Sequence, residues 1–328
     1  MINIVVTGGS GYIGSHIVKL LAESDIATHS IDKLSPSWSH SLNVKSYCVD
    51  ITDIKELNKV FDEIGNIDCV IHCAGELGIE RSYKQEPLFY HQNIYGTDTI
   101  INAVIQHNIK NVIFASSAAV YAPSYEPQTI YNKIDKDASP YAFTKIECER
   151  RIKDMLSRYD INYIIFRYFN VIGCDVNDSS MFESYMKKSN IIPNILRSLK
   201  YKEEFIVNGC NYNTIDGTCI RDYINVKDLS MLHLCACKRL FSNNWKPQYN
   251  GVYNAGSGTA YSVLDIVSII ENLSGDCIQK KFNDMRTGDS PYLCANIEYT
   301  KQCFNWKPEN SLHDTIRELK NVCLSSMF

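Results

Sequence analysis

No apolar run in this chain reaches the length of a membrane span, which excludes an anchor of that kind. The first run, Ile2 to Val6, stops after a few residues at a glycine turn, so it reads as a strand and not as a leader. Neither sign of charge dominates: 33 Lys+Arg against 37 Asp+Glu leave a net charge of −4. That balance gives no electrostatic case for nucleic acid or an anionic membrane surface. Internal repeats and low-complexity linkers are missing. Cysteine is plentiful at 13 residues, yet the number is odd and no CxxC pair occurs. Cys235 and Cys237 are too close for zinc-finger spacing and no His pair follows them, so no metal is expected. Scattered reduced thiols and a cytoplasmic location are the reading.

With 328 residues, 45% of them hydrophobic, the chain can bury a large core as two closely packed lobes. Short apolar runs recur between amphipathic stretches: Ile2–Val6, Ala27–Ile31, Ser46–Val49, Cys69–His72, Val112–Ser116 and Tyr163–Tyr168. Such alternation predicts βαβ units, an α/β fold with a doubly wound parallel sheet. A helix over Asn93–Asn108 puts Ile94, Ile101, Val104 and Ile105 on one face; one over Tyr141–Arg158 does so with Ile152, Met155 and Leu156. Past residue 172 the pattern loosens into a polar stretch, Asp175 to Asn190. A first domain over 1–172 and a smaller one over 173–328 are expected, with 222–250 rejoining the first through a helix at Val226–Leu240.

The run Thr7-Gly8-Gly9-Ser10-Gly11-Tyr12-Ile13-Gly14 follows the first strand directly and opens a helix over Tyr12–Leu21. Strand, glycine turn and helix N-terminus together aim backbone N–H groups at a pyrophosphate, and glycine lets the backbone come close. Asp32 ends the second apolar segment about twenty residues on, where a carboxylate holds the ribose hydroxyls of NAD and repels the extra phosphate of NADP.

Tyr141 and Lys145 are four apart in a helical segment and so share a face. A phenol of pKa near 10 is a poor base at neutral pH unless a cation favours its anion. Lys145, or the positive nicotinamide ring, supplies one; at about 5 Å and an effective dielectric of about 20 a cation contributes about 3 kcal/mol. Ser116 and Ser117 end the strand Val112–Ser116, at the carboxyl edge where such sheets bind ligands. A serine there can bond a reacting hydroxyl and relay its proton.

Gly8, Gly11 and Gly14, then Ser117, then Tyr141-x-x-x-Lys145, resemble the extended short-chain dehydrogenase/reductase family. Further stretches narrow the resemblance to the UDP-glucose 4-epimerases (UDP-galactose 4-epimerases): TGGSGYIGSH at 7–16, PLFYHQNIYGT at 87–97, SSAAVY at 116–121 and SPYAFTK at 139–145. RYFNVIG at 167–173, DGTCIRDYINVKDL at 216–229, YNAGSG at 253–258 and RTGD at 286–289 complete the order over essentially the whole chain.

The resemblance implies a Rossmann-type domain holding NAD and a smaller C-terminal domain holding a nucleotide sugar. It implies interconversion of UDP-galactose and UDP-glucose: Tyr141 takes the 4-hydroxyl proton with Ser117 bridging, hydride leaves C4 and returns on the other face of the 4-ketose. Lys145 would bond the nicotinamide ribose and depress the Tyr141 pKa. The turn residues Gly8, Gly11, Tyr12, Ile13 and Gly14, with Asp32, Asp50, Ile51 and the backbone at Tyr168 and Phe169, would hold the cofactor. Arg221 and Arg286 match phosphate-binding arginines, Asn170 and Asn190 polar contacts to the nucleotide, and Asp289 with Tyr223 the uridine ribose. The residue at Leu293 gates sugar size: tyrosine goes with plain hexoses and small residues with N-acetylated sugars, leucine being intermediate.

The departures are specific. Leu77 stands where the resemblance expects a lysine on the cofactor phosphates, with Arg81 and Lys84 as replacements. Ala119 and Ala122 replace a threonine and a glycine, and 122–138 receives no assignment. A 4,6-dehydratase would need an Asp-Glu pair where Ala118 and Ala119 stand. Other UDP-sugar 4-epimerases (N-acetylhexosamine, uronate, pentose) and a non-catalytic NAD-binding regulator stay as alternatives. A homodimer through helices near Asn93–Asn108 and Tyr141–Arg158 is also implied.

Overall fold

The apolar runs form parallel strands because β-branched residues alternate between two buried faces. The structure, a computed structural model, describes residues 2–36, 44–242, 245–285 and 288–325. β1 (Asn3–Thr7), β2 (Ala27–Asp32), β3 (Val44–Cys48), β4 (Cys69–His72), β5 (Asn111–Ser117) and β6 (Asn162–Tyr168) lie within a residue or two of the expected segments. Three strands then leave the large sheet: β7 (Asn170–Ile172), β8 (Phe205–Asn208) and β9 (Ile220–Asn225). β10 (Gly251–Ala255) returns to it, giving a seven-stranded sheet in the order β10-β6-β5-β4-β1-β2-β3. Every pairing in that sheet is parallel.

In β1, Ile4 and Val6 face one side and Val5 the other, so both faces must be covered. On the first side Ile17, Val18 and Leu21 from helix Tyr12–Glu23 meet Leu229, Leu232 and Leu240 from helix Val226–Leu240. On the second, helices Ile54–Ile64, Gly96–Gln106 and Pro140–Arg158 contribute Phe61, Ile101, Val104, Ile152 and Leu156. The helix expected from Asn93 is regular only from Gly96; Tyr90–Tyr95 form a π-helical turn that leads into it. Helix Pro140–Arg158 starts where Ser139 accepts from Ala142 N–H at 3.3 Å, with Pro140 supplying a preset φ at the first position.

The remaining strands, β11 (Ala260–Ser262), β12 (Lys280–Asn283) and β13 (Tyr292–Leu293), belong to the smaller lobe. There β9 pairs in parallel with β7 and β13 and antiparallel with β11, and β8 pairs with β12. Helices Ile191–Tyr201, Val263–Ser274 and Leu312–Ser325 pack around Ile195, Leu196, Ile266, Ile270, Ile316 and Leu319. The stretch 122–138 crosses between lobes: Gln128 N–H donates to Cys294 C=O at 2.7 Å, and Gln128 C=O accepts from Asn296 N–H at 2.8 Å. No helix among the described residues is long and apolar enough to cross a membrane. No disulfide joins the described cysteines.

Candidate active site

The strand order reverses at β1, between β2 and β4, so the carboxyl ends of the strands open a crevice there. A cleft of about 1240 Å³ occupies it. Its floor begins at the glycine turn. Gly8 has φ +73°, and a Cβ on it would lie 2.7 Å from Ala74 N. A Cβ on Gly14 would lie 2.1 Å from Gly8 C=O, so turn and helix can pack this closely only with glycine. Helix Tyr12–Glu23 begins at Gly11 with no side chain capping it. Its first-turn N–H groups therefore stand available to an anion.

Gly8, Gly11, Tyr12, Ile13, Gly14, Asp32, Asp50 and Ile51 all line the cleft. Asp32 accepts from Ser10 N–H at 3.1 Å and Leu34 N–H at 3.0 Å, which fixes its carboxylate at the end of β2. Asp50 accepts from Thr52 N–H at 2.9 Å and from Gln92, whose own place in the cleft the sequence did not signal. A glycine-rich turn, an uncapped helix start and a carboxylate one strand over suit a dinucleotide.

Ser117, Tyr141, Lys145, Tyr168 and Phe169 line the same cleft farther along. Lys145 is buried, and its Nζ donates to Ala115 C=O at 2.8 Å. Burial pushes its pKa down. The Tyr141 phenol stands above its ordinary pKa because burial raises it, while Ser117 lowers it by less. This differs from the depression expected from Lys145, whose ammonium is held to a backbone carbonyl. Ser117 Oγ also accepts from Ala119 N–H at 3.2 Å. Behind these groups lies a buried ion pair. Glu149, two turns beyond Tyr141, accepts from Ser116 Oγ at 2.6 Å and from Arg167 Nε and Nη2 at 2.8 and 2.7 Å. Burial raises the Glu149 pKa, and Arg167 with Ser116 outweighs it, so the net shift is downward. The Tyr168 hydroxyl turns into the core and meets His233 Nε2 at 2.7 Å. Leu229 C=O, 2.8 Å from His233 Nδ1, can only accept, so Nδ1 carries the proton and Tyr168 donates to Nε2.

The second half of the chain contributes less directly. Asn190 and Asp289 line the cleft, and Arg221 Nη2 stands 3.6 Å from Asp289 Oδ1. Arg221 and Tyr223 are buried in β9. Asn170 is exposed in β7, opposite Tyr223 in register. Leu293 pairs with Arg221 in β13 and packs on the cluster of Ala118, Val120, Tyr121 and Phe169. None of Asn170, Arg221, Tyr223 and Leu293 lines the cleft itself. Arg286 lies outside the described residues. Leu77 is exposed on the wall, while Arg81 and Lys84, its expected replacements, are ion-paired with Glu76 at 2.6 Å and Glu80 at 2.6 Å. Lys187, Lys188 and Ser189 line the cleft as well. Sequence reasoning passed over them because they sit in a polar stretch with no periodicity.

A parallel doubly wound sheet with this cleft defines the class, and comparison agrees: the family model for the NAD dependent epimerase/dehydratase family matches residues 4–256, and the chain belongs to that family. Within it, the chain is 32% identical to the UDP-glucose 4-epimerase of Halalkalibacterium halodurans, over 96% of this chain and 93% of that protein. Among solved structures it is similar to UDP-glucose 4-epimerase from Bifidobacterium longum in complex with NAD+ and UDP (TM-score 0.87, 28% identity, 98% and 97% of the two chains). It is also similar to UDP-N-acetylglucosamine 4-epimerase from Methanobrevibacter ruminantium M1 (TM-score 0.82, 29% identity, 99% of each chain).

Proposed function

We propose that this chain interconverts UDP-galactose and UDP-glucose with NAD, by oxidation at C4, turning of the 4-keto sugar and reduction on its other face. The carrying observation is that Ser117, Tyr141 and Lys145 share one cleft with the Gly8–Gly14 turn and Asp32. The turn residues with Tyr12 and Ile13 would hold the cofactor pyrophosphate, Asp32 its adenosine ribose, and Asp50 and Ile51 would border the adenine. Lys145 and the backbone at Tyr168 and Phe169 would meet the nicotinamide end. When bound, NAD supplies the hydride acceptor and donor for C4.

Tyr141 takes the 4-hydroxyl proton by way of Ser117 Oγ and returns it when the ketone is reduced. Burial works against the phenolate, so a close positive charge has to favour it. Lys145, buried on the same helix face, is the protein's own cation there. For the UDP moiety we assign Asn170, Asn190, Arg221, Tyr223, Arg286 and Asp289. Residues 1–172, rejoined by about 222–250, would act as the NAD-binding domain and 173–328 as the nucleotide-sugar domain. A cytoplasmic homodimer completes the reading; Tyr95 and Phe143, exposed on the two helical segments concerned, support a contact there, and light scattering at micromolar concentration checks it.

A second reading, activity on N-acetylated UDP-hexoses, is favoured by Leu293, a non-aromatic, half-buried side chain beside Ala118 and Val120.

The test is conversion of UDP-galactose to UDP-glucose, without and with added NAD, in the parent and in Tyr141→Phe. The expected loss in the variant is about 10²–10⁴-fold, the usual worth of a positioned acid–base group. Equal rates in parent and variant would overturn the assignment.

A further inference from the structure

We propose that Lys188 binds the pyrophosphate of a nucleotide ligand, its ammonium meeting the anion where helix Tyr12–Glu23 begins. This rests on reading the cleft as a dinucleotide and nucleotide-sugar site.

The described cations that line the cleft are Lys33, Arg81, Lys84, Lys145, Lys187 and Lys188. Most are already committed. Lys33 and Arg81 both pair with Glu76, at 2.9 and 2.6 Å, and Lys84 pairs with Glu80 at 2.6 Å. Lys187 pairs with Glu183 at 3.8 Å, and Lys145 donates to Ala115 C=O at 2.8 Å. Lys188 differs: among the described residues its ammonium has no carboxylate or carbonyl partner, and it lies 5.6 Å from the centre of the Tyr12 ring. Burial pushes its pKa down, and no neighbouring charge counters this. A half-buried ammonium without an anion is a standing cost, which an incoming phosphate offsets.

Its position is set on both sides. The Lys188 N–H donates to Tyr185 C=O at 3.0 Å, and its C=O accepts from Arg197 Nη2 at 3.2 Å. Arg197 also donates to Met186 C=O and Asn194 Oδ1, which ties the segment to helix Ile191–Tyr201. Across the gap, Tyr12 donates its hydroxyl to Gly173 C=O and packs against Tyr185 at 5.3 Å between ring centres. The ammonium therefore sits over the side-chain ring of Tyr12, the first residue of the uncapped helix. An anion there would meet helix N–H groups from one lobe and Lys188 from the other.

The shared chemistry is a pyrophosphate diester, and two ligands carry one: NAD and the UDP-sugar. Titration calorimetry on the full chain separates them, with NAD added to nucleotide-stripped protein and UDP added to NAD-loaded protein, for the parent, Lys188→Met and Lys188→Arg. Lys188→Met is expected to weaken one of the two ligands by about tenfold or more, the usual worth of a hydrogen bond to a charged group. Lys188→Arg should recover most of that loss, and Lys187→Met, already paired with Glu183, should change neither affinity. A loss on the NAD arm puts the contact on the cofactor, and a loss on the UDP arm puts it on the substrate. Affinities of Lys188→Met within twofold of the parent on both arms overturn the inference alone. A parent that binds neither ligand overturns it together with the functional reading.

Discussion

The two walls of the cleft are assembled differently. The wall carrying Gly8, Gly11, Gly14 and Asp32 comes from one continuous run, Thr7 to Asp32, and its shape follows from a turn built on glycine. The opposite wall gathers Lys188, Asn190 and Asp289, with Arg221 behind, from segments far apart in the chain. Single polar groups pin that wall. Asp222, fully buried, accepts from Ser257 N–H and Oγ at 2.7 Å each, from Gly258 N–H at 2.9 Å and from Ala295 N–H at 3.1 Å. A local wall resists distant change, whereas a gathered wall fails when one of its pins is removed.

The largest effect is expected at the pair that anchors helix Pro140–Arg158 to the sheet. Glu149→Gln leaves Arg167 buried with its charge uncompensated, at a cost of about 3–5 kcal/mol in urea or thermal unfolding. Arg167 holds the folded-state pKa of Glu149 below its unfolded value of about 4.3. The ion pair's contribution is therefore complete above that value and is lost as pH falls through the folded pKa. The stability gap between parent and variant should accordingly shrink below about pH 4. A gap that stays constant down to pH 2 contradicts the linkage.

Next in size is a change that strikes the gathered wall alone. Asp222→Asn turns one acceptor into a donor facing N–H groups, at about 1–3 kcal/mol. UDP affinity should fall while NAD affinity holds, since none of the Asp222 partners belongs to the glycine turn. Equal losses of both ligands would mean that the walls are not independent. The smallest change is one of selectivity. Leu293→Tyr should lower the turnover of N-acetylated relative to plain UDP-hexoses by about tenfold, as pocket size changes usually do, with Tm little changed. An unaltered ratio removes Leu293 from the sugar pocket.

Legibility follows the same division. The strands, the glycine turn, Asp32 and the Tyr141–Lys145 face were readable because alternation, turn chemistry and helical spacing are local signals. Ser117 was readable from its place at a strand end. The π-helical turn at Tyr90–Tyr95 was not, since its residues suit an ordinary helix. Residues 122–138 gave no signal because Gln128, which ties the stretch to the other half of the chain, does so by bonding to Cys294 and Asn296 there. Lys188 was missed for a related reason: one lysine in a polar stretch looks solvated until Tyr12 is placed beneath it.

By itself, then, the order of residues determined the parallel sheet, the phosphate-ready turn and the pairing of a tyrosine with a lysine on one helix face. These depend on backbone geometry within a few residues, which short-range pattern encodes. Only the tertiary structure decided which cations the cleft leaves unpaired. It also decided that the Tyr141 phenol is raised by burial and that Asp222 and Gln128 hold the second wall in place. Burial and ion pairing depend on every element packed around a group, and no window of sequence contains that sum.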